Sequence, residues 1–194
     1  MATDRKAAER AVADLLRALG HDPALDPELA ETPARVVEAF SRDLLAGYDV
    51  DVGKLLEDST TAAPEDAGIV VIRDIAVATT CPHHLMPALG SATVAYAPGS
   101  RLLGLGTIAR LVDALARRLT VQEAIGSGVV SALVDQVGAR GAYCELTLVH
   151  TCLGARGARQ VDASVRTIAR AGTLATPEAA AELALALGIT GKQP

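Results

Sequence analysis

The amino-acid sequence predicts an α+β domain: an antiparallel sheet with helices packed on one face. Hydrophobic periodicity sets out helix, helix, strand, strand, helix, helix, strand, strand, helix in order. Paired helices inserted between antiparallel strands have one economical arrangement, a helical layer over one side of the sheet. The length, 194 residues, suits one domain with a sizeable core, and no internal repeat is visible.

The first helix is expected from Asp4 to Leu19, where Ala8, Val12, Leu15, Leu16 and Leu19 recur at helical spacing before Gly20. After the turn-rich HDPALDP, Thr32 is placed to cap a second helix and Pro33 to occupy its first turn. Val36, Val37, Phe40 and Leu44 form its apolar stripe, and Gly47 closes it. Residues 1–57 are thus read as an N-terminal helical region ahead of the sheet-bearing region 58–194. Asp58 to Asp66 reads as a polar loop, followed by the strands IVVIRDIAVAT and LGSATVAYAP on either side of CPHHLMP, with PGSRLLG as a turn. Helices are expected over Thr107–Leu119 and Thr120–Val137, and strands over Ala142–Cys152 and Ser164–Ala169. Thr176 and Pro177 open a last helix that stops at Gly188.

Composition narrows the function classes. The apolar half of the chain is mainly Ala, Leu and Val, with one Phe and no Trp, so the core buries modest area per residue and association with further copies is favoured. The net charge of -5 gives no long-range attraction to a nucleic acid backbone. No apolar run is long enough to span a membrane, and MATDRKAAER is charged with no apolar block behind it, so a soluble cytoplasmic protein is expected. The 3 cysteines cannot all pair within the chain, which favours metal binding in a reducing compartment over a disulfide framework.

Zinc favours thiolate and imidazole ligands in tetrahedral geometry, and a catalytic site keeps one position for water. Cys81 and His84 stand three residues apart, with Pro82 helping to fix a turn between them. The third ligand is sought in YCELTLVHTC. At a period of two, Cys144, Leu146, Leu148, His150 and Cys152 share one face of that strand. An extended strand puts Cys144 roughly 26 Å from Cys152, at about 3.3 Å per residue, which leaves Cys144 to the core. Cys81, His84 and Cys152 are therefore the expected zinc ligands, and His83 and His150 remain free for proton transfer. A purely structural zinc satisfies the same spacing.

These segments resemble a known family. CPHHLMPALGSATVAYAP resembles the C-E-H-H-x-x-P-x-x-G segment of GTP cyclohydrolase I, HTCLGARG resembles its H-x-C-x-x-x-R-G motif, and DPELAETPARVVEAF resembles its T-P-x-R-V signature. The resemblance covers roughly residues 10 to 175. It implies a tunnelling fold, a homodecamer or other toroidal homo-oligomer with active sites between subunits, and conversion of GTP and water to 7,8-dihydroneopterin triphosphate and formate, a step towards pterins and tetrahydrofolate. By position it implies Cys81, His84 and Cys152 as zinc ligands and water attack at C8 of the purine. His83 would protonate the opening imidazole ring, and His150 would act in the later ribose rearrangement. Gln122 and Glu123 would grip the guanine edge, and Arg110, Arg156 and Arg35 from a neighbouring subunit would face the phosphates. Glu123 has a second reading as one half of a capping box with Thr120.

The chain departs from the family pattern in places. Where the family has G-L-S-K-x-x-R, Gly104-Leu105-Gly106-Thr107-Ile108-Ala109-Arg110 lacks both serine and lysine, and Pro82 replaces the glutamate of C-E-H-H. Losing one lysine from a triphosphate pocket costs about 1.5–3 kcal/mol, or about ten- to a hundredfold in binding. In place of a Ser/Thr-rich segment, Arg166 and Arg170 share one strand face and either replace that lysine or face solvent. A specialised homologue acting on a purine base, nucleoside or monophosphate without forming a pterin is one alternative; a non-catalytic pterin- or purine-binding protein is another. A related reductase using NADPH on a nitrile would need a nucleophilic cysteine and no metal.

Overall fold

The computed structural model describes residues 4–188; the outer ends of the two expected regions, 1–3 and 189–194, lie outside the described residues. Helix α1 (Arg5–Ala18) starts where the Asp4 carboxylate accepts the Ala7 N–H at 2.9 Å, and it ends ahead of Gly20 at φ +91°. Helix α2 (Thr32–Glu38) begins at Thr32 itself, preceded by Glu31 with no side-chain cap, so Thr32 is not the expected cap. The expected second helix does not stay regular to Gly47. It widens into a π-helical stretch over Ala39–Leu44, where the Ser41 hydroxyl donates to the Val37 carbonyl at 2.7 Å, and then tightens into a 3-10 turn over Ala46–Asp49. Gly47 has a packing reason as well: a Cβ there would sit 2.2 Å from the carbonyl oxygen of Ala114.

A short helix, α3 (Val52–Glu57), follows and is capped by Asp51, whose carboxylate accepts the Lys54 N–H at 3.1 Å. The expected loop and turn each hide a strand: β1 (Thr60–Ala62) pairs antiparallel with β4 (Arg101–Leu103) in a two-stranded ribbon. The main sheet contains β2 (Val70–Thr80), β3 (Pro87–Ala97), β5 (Gly141–His150) and β6 (Ser164–Gly172) in that spatial order, every pair antiparallel. Between β4 and β5 lie α4 (Leu105–Ala116) and α5 (Gln122–Ser131), the latter widening into a π-helical stretch over Ala132–Gln136. This is the expected α+β architecture, an antiparallel sheet with its main helical pair packed on one face.

The main core lies between this helical pair and the sheet. Ile108, Leu111 and Val112 of α4 and Ile125 and Val129 of α5 meet Val94, Tyr96, Cys144, Leu146 and Leu148, all at most 1% exposed. Cys144 is thus the expected core cysteine. The Tyr96 hydroxyl, inside this core, accepts the Leu103 N–H at 3.0 Å and ties the ribbon to the sheet. A smaller cluster on the other face joins Ala95 and Tyr143 to Leu174 and to Leu183 of α7 (Ala179–Ala186). The C-terminal helix therefore closes one corner of the face that α4 and α5 leave open.

Candidate metal centre

Three segments converge at one end of the sheet. Strands β2 and β3 are joined by a tight turn over residues 81–86, closed by hydrogen bonds from the Cys81 N–H to the Met86 carbonyl and from the Leu85 N–H to the Cys81 carbonyl, both 2.9 Å. Leu85 takes φ +53°, a left-handed conformation that a branched residue adopts only under constraint. That turn folds the chain back on itself, so the Cys81 sulfur lies 3.6 Å from Nδ1 of His84 and 3.9 Å from Nδ1 of His83.

Strand β5 brings the second segment. It stops at His150, and Thr151–Gly154 forms a single helical turn, α6. Cys152 therefore does not continue the strand face of Cys144, Leu146, Leu148 and His150, as the period-two reading expected; it reaches the site from a helical turn. The Thr151 hydroxyl donates to the Pro87 carbonyl at 2.6 Å and fastens that turn beside the start of β3.

One ligand atom from each of Cys81, His84 and Cys152 falls within 4.8 Å of the others. Two thiolates about 2.3 Å from a tetrahedral zinc and an imidazole nitrogen at about 2.0–2.1 Å require ligand atoms roughly 3.5–3.8 Å apart. The observed cluster needs only small adjustment to reach that geometry. The donor set, two soft sulfurs with one imidazole, suits zinc better than magnesium or calcium. Burial and the neighbouring Cys81 thiol both push the Cys152 thiol above its ordinary range; a cation between them would reverse that tendency.

The third segment is the loop before α5. The Thr120 N–H donates to the Thr80 carbonyl at 3.3 Å, which sets the start of α5 over the end of β2. A cavity of about 270 Å³ opens there, lined by Cys81, His83, His84, Glu123, His150 and Cys152 among others. Glu123 lies in the first turn of α5 with its side chain exposed. The helix is preceded by Val121 with no side-chain cap, and the Thr120 hydroxyl turns to the Val121 carbonyl, so the expected capping box is not formed.

Gln122 is 3% exposed. Its amide nitrogen donates to the carbonyls of Leu146 at 3.0 Å and Val165 at 2.9 Å, and its amide oxygen lies 2.8 Å from Nε2 of His150. Thr79, also on the cavity wall, has a buried hydroxyl with no hydrogen-bond partner. Neither arrangement was visible in the sequence. A polar residue two positions before Cys81 on a strand is the only signal that could have marked Thr79.

The arginines are dispersed. Arg110 is exposed on α4, 3.3 Å from the Thr107 hydroxyl. Arg156 is exposed just beyond α6, and Arg35 pairs with Glu31 at 2.5 Å on α2. Arg166 and Arg170 stand on the sheet face turned away from α4 and α5. There Arg166 makes two 2.8 Å bonds to the Glu145 carboxylate, and Arg170 lies over the Tyr143 ring at 5.6 Å. None of the five lines the cavity that holds the cysteines and histidines.

The GTP cyclohydrolase I family pattern matches residues 8–187. The chain belongs to the GTP cyclohydrolase I family. It is similar to the "GTP cyclohydrolase 1" of Leifsonia xyli, 40% identical over 95% of this chain and 96% of the relative. The "GTP cyclohydrolase 1" of Chromobacterium violaceum is 44% identical over 89% of this chain and 82% of the relative. That of Mycobacterium leprae is 40% identical over 96% and 89%. Gly106 and Thr107, which stand where the resemblance implies a serine and a lysine, lie in the first turn of α4. Thr107 is 2% exposed and so turned into the protein. No helix among the described residues is long and apolar enough to cross a membrane.

Proposed function

We propose that the chain is a zinc-dependent cyclohydrolase that opens the imidazole ring of a guanine-type purine by water attack at C8. The observation that carries this reading is the meeting of Cys81, His84 and Cys152 at a cavity also lined by His83, His150 and Glu123. Zinc held by the three ligands supplies Lewis acidity and a water activated near neutral pH. His83, beside the ligands but outside the set, delivers the proton that the purine nitrogen needs as the ring opens. The Glu123 carboxylate accepts two hydrogen bonds from the N1 and 2-amino edge of guanine, a pattern adenine does not present. His150 serves the later ribose rearrangement that yields 7,8-dihydroneopterin triphosphate and formate from GTP. Arg110 and Arg156 face the phosphates, together with Arg35 of a neighbouring subunit in a toroidal homo-oligomer. That assembly would bring the dispersed arginines to the cavity edge. Residues 1–57 form a helical region appended to the catalytic region in this reading, and the reaction feeds pterin and tetrahydrofolate synthesis in the cytoplasm.

A second reading concerns the phosphates. Thr107 is buried where the family places a lysine, and no lysine occurs between Lys54 and Lys192. Arg166 and Arg170 are engaged with Glu145 and Tyr143 on the far sheet face and supply no replacement charge at the cavity. Both facts favour a substrate with fewer phosphates than GTP, opened with or without pterin formation. Anaerobic incubation of the zinc-loaded protein with GTP, GMP, guanosine and guanine, followed by formate release and product mass, tests both. Formate with a dihydropterin supports the cyclohydrolase I reaction, and formate with a pyrimidine supports the specialised enzyme. Bound ligand without formate from any of the four leaves a non-catalytic binding protein.

A further inference from the structure

We infer that Gln122 is a positioning residue that acts through His150, fixing which nitrogen of that imidazole carries the proton, and does not itself read the purine. The inference rests on the proposed cyclohydrolase reaction for its kinetic consequence. The contact on which it is built stands independently of that reaction.

The amide of Gln122 is oriented by its surroundings. Two of its neighbours, the carbonyls of Leu146 and Val165, only accept hydrogen bonds, so the NH₂ end must face them. The amide oxygen is thereby turned to His150, 2.8 Å away. An amide oxygen only accepts, so the nitrogen opposite it, Nε2, must donate. Neutral His150 accordingly carries its hydrogen on Nε2, and Nδ1 is the lone-pair nitrogen. The ring lines the cavity.

With both amide hydrogens and the amide oxygen engaged, and the residue 3% exposed, Gln122 has little left to offer a ligand. Its neighbour Glu123 is exposed at the same helix start and faces the cavity with its carboxylate uncommitted by any hydrogen bond among the described residues. The two adjacent residues thus divide the work. Glu123 meets the base, whereas Gln122 joins the start of α5 to β5 and β6 and holds the imidazole in one tautomer.

The test uses the full-length, zinc-loaded protein with Gln122→Met, which keeps the length of the side chain but cannot bond His150, and Gln122→Glu, which keeps an acceptor towards Nε2. ¹⁵N-histidine NMR, with His150 assigned by His150→Gln, should show the neutral ring protonated on Nε2 in the parent and in Gln122→Glu, and a tautomer mixture in Gln122→Met. Nδ1 protonation in the parent would overturn the inference. In kinetics, Gln122→Met should release formate with KM within about threefold of the parent while dihydropterin formation falls at least tenfold. Gln122→Met combined with His150→Ala should be no slower than His150→Ala alone. A tenfold or larger rise in KM for formate release, with pterin formation falling only in step with it, would instead make Gln122 a contact to the base. Absence of formate from the parent with every purine would remove the proposed reaction, and the NMR arm would still decide the Gln122 contact. If Gln122→Met does not fold, the ¹⁵N NMR of the parent decides the inference by itself: Nε2 protonation of the neutral His150 ring supports it, and Nδ1 protonation overturns it.

Discussion

The hydroxyl of Thr151 donates a 2.6 Å hydrogen bond to the carbonyl of Pro87. That contact extends the β3–β5 pairing, which ends at Ala88 and His150, into the helical turn bearing Cys152, so two segments some seventy positions apart in sequence present their donors together. Thr151→Val keeps the shape and removes the donor. We expect zinc affinity to fall about tenfold, in line with the effect of groups that orient metal ligands. Competition against a chromophoric chelator measures it, and unchanged affinity would show that the turn needs no such tie.

Removing a ligand should act differently from removing an imidazole beside the ligands. Cys81→Ala, His84→Ala and Cys152→Ala should each lose stoichiometric zinc on dialysis, whereas His83→Ala should keep zinc and lose ring opening by at least a hundredfold, the usual scale for a positioned proton donor. Metal analysis alongside formate release separates these outcomes. Zinc lost from His83→Ala with zinc kept in His84→Ala would exchange the roles of the two histidines.

Thiol chemistry should sort the cysteines in the same way. Burial in the core, with the charge of Glu145 adding to it, pushes the Cys144 thiol to about 12. A thiol held so far from its thiolate is inert. The metal-free native protein should take up an alkylating reagent at Cys81 and Cys152 and leave Cys144 unmodified, and zinc should protect the reactive pair. Mass mapping of the modified peptides reads this directly.

The far sheet face gives a pH dependence. The Arg166 guanidinium, and then the Tyr143 hydroxyl, hold the Glu145 carboxyl below the usual carboxylate range, although burial opposes them. A folded-state value below the unfolded one, which is about 4.3, stabilises the protein fully above that unfolded value and loses its effect as pH falls through the folded one. Arg166 is 56% exposed, so solvent screening limits the pair to about 0.5–1 kcal/mol. Glu145→Gln should therefore lower the thermal midpoint at pH 7, and the difference should shrink as the pH falls below about 4.3.

Tyr96→Phe tests the link between the ribbon and the sheet. It leaves the Leu103 N–H without its partner inside the core, at a cost of about 1–3 kcal/mol. Urea denaturation should show a lower midpoint with the slope unchanged.

Much of this was legible in the sequence because it depends on periodicity or on local spacing. The length of an extended strand between Cys144 and Cys152 left Cys144 to the core, and the three-residue separation of Cys81 from His84 survived into space. Cys152 was rightly grouped with them, although the strand parity used to place it stops at His150, where Thr151 begins a helical turn. Strands β1 and β4 escaped because three residues are too few to show a period. Helix α3 was hidden in VGKLLE, which carries one turn and a half of pattern. The Gln122 bonds escaped for another reason: two of its three partners are main-chain carbonyls on separate strands, which no side-chain pattern reports.

X-ray absorption at the zinc edge on the purified, active protein tests the account most directly. We expect one zinc per chain with two sulfur scatterers at about 2.3 Å and two nitrogen or oxygen scatterers at about 2.0–2.2 Å, one of them exchangeable. A full complement of ring-opening activity in protein free of metal, or a zinc shell without sulfur, would contradict it.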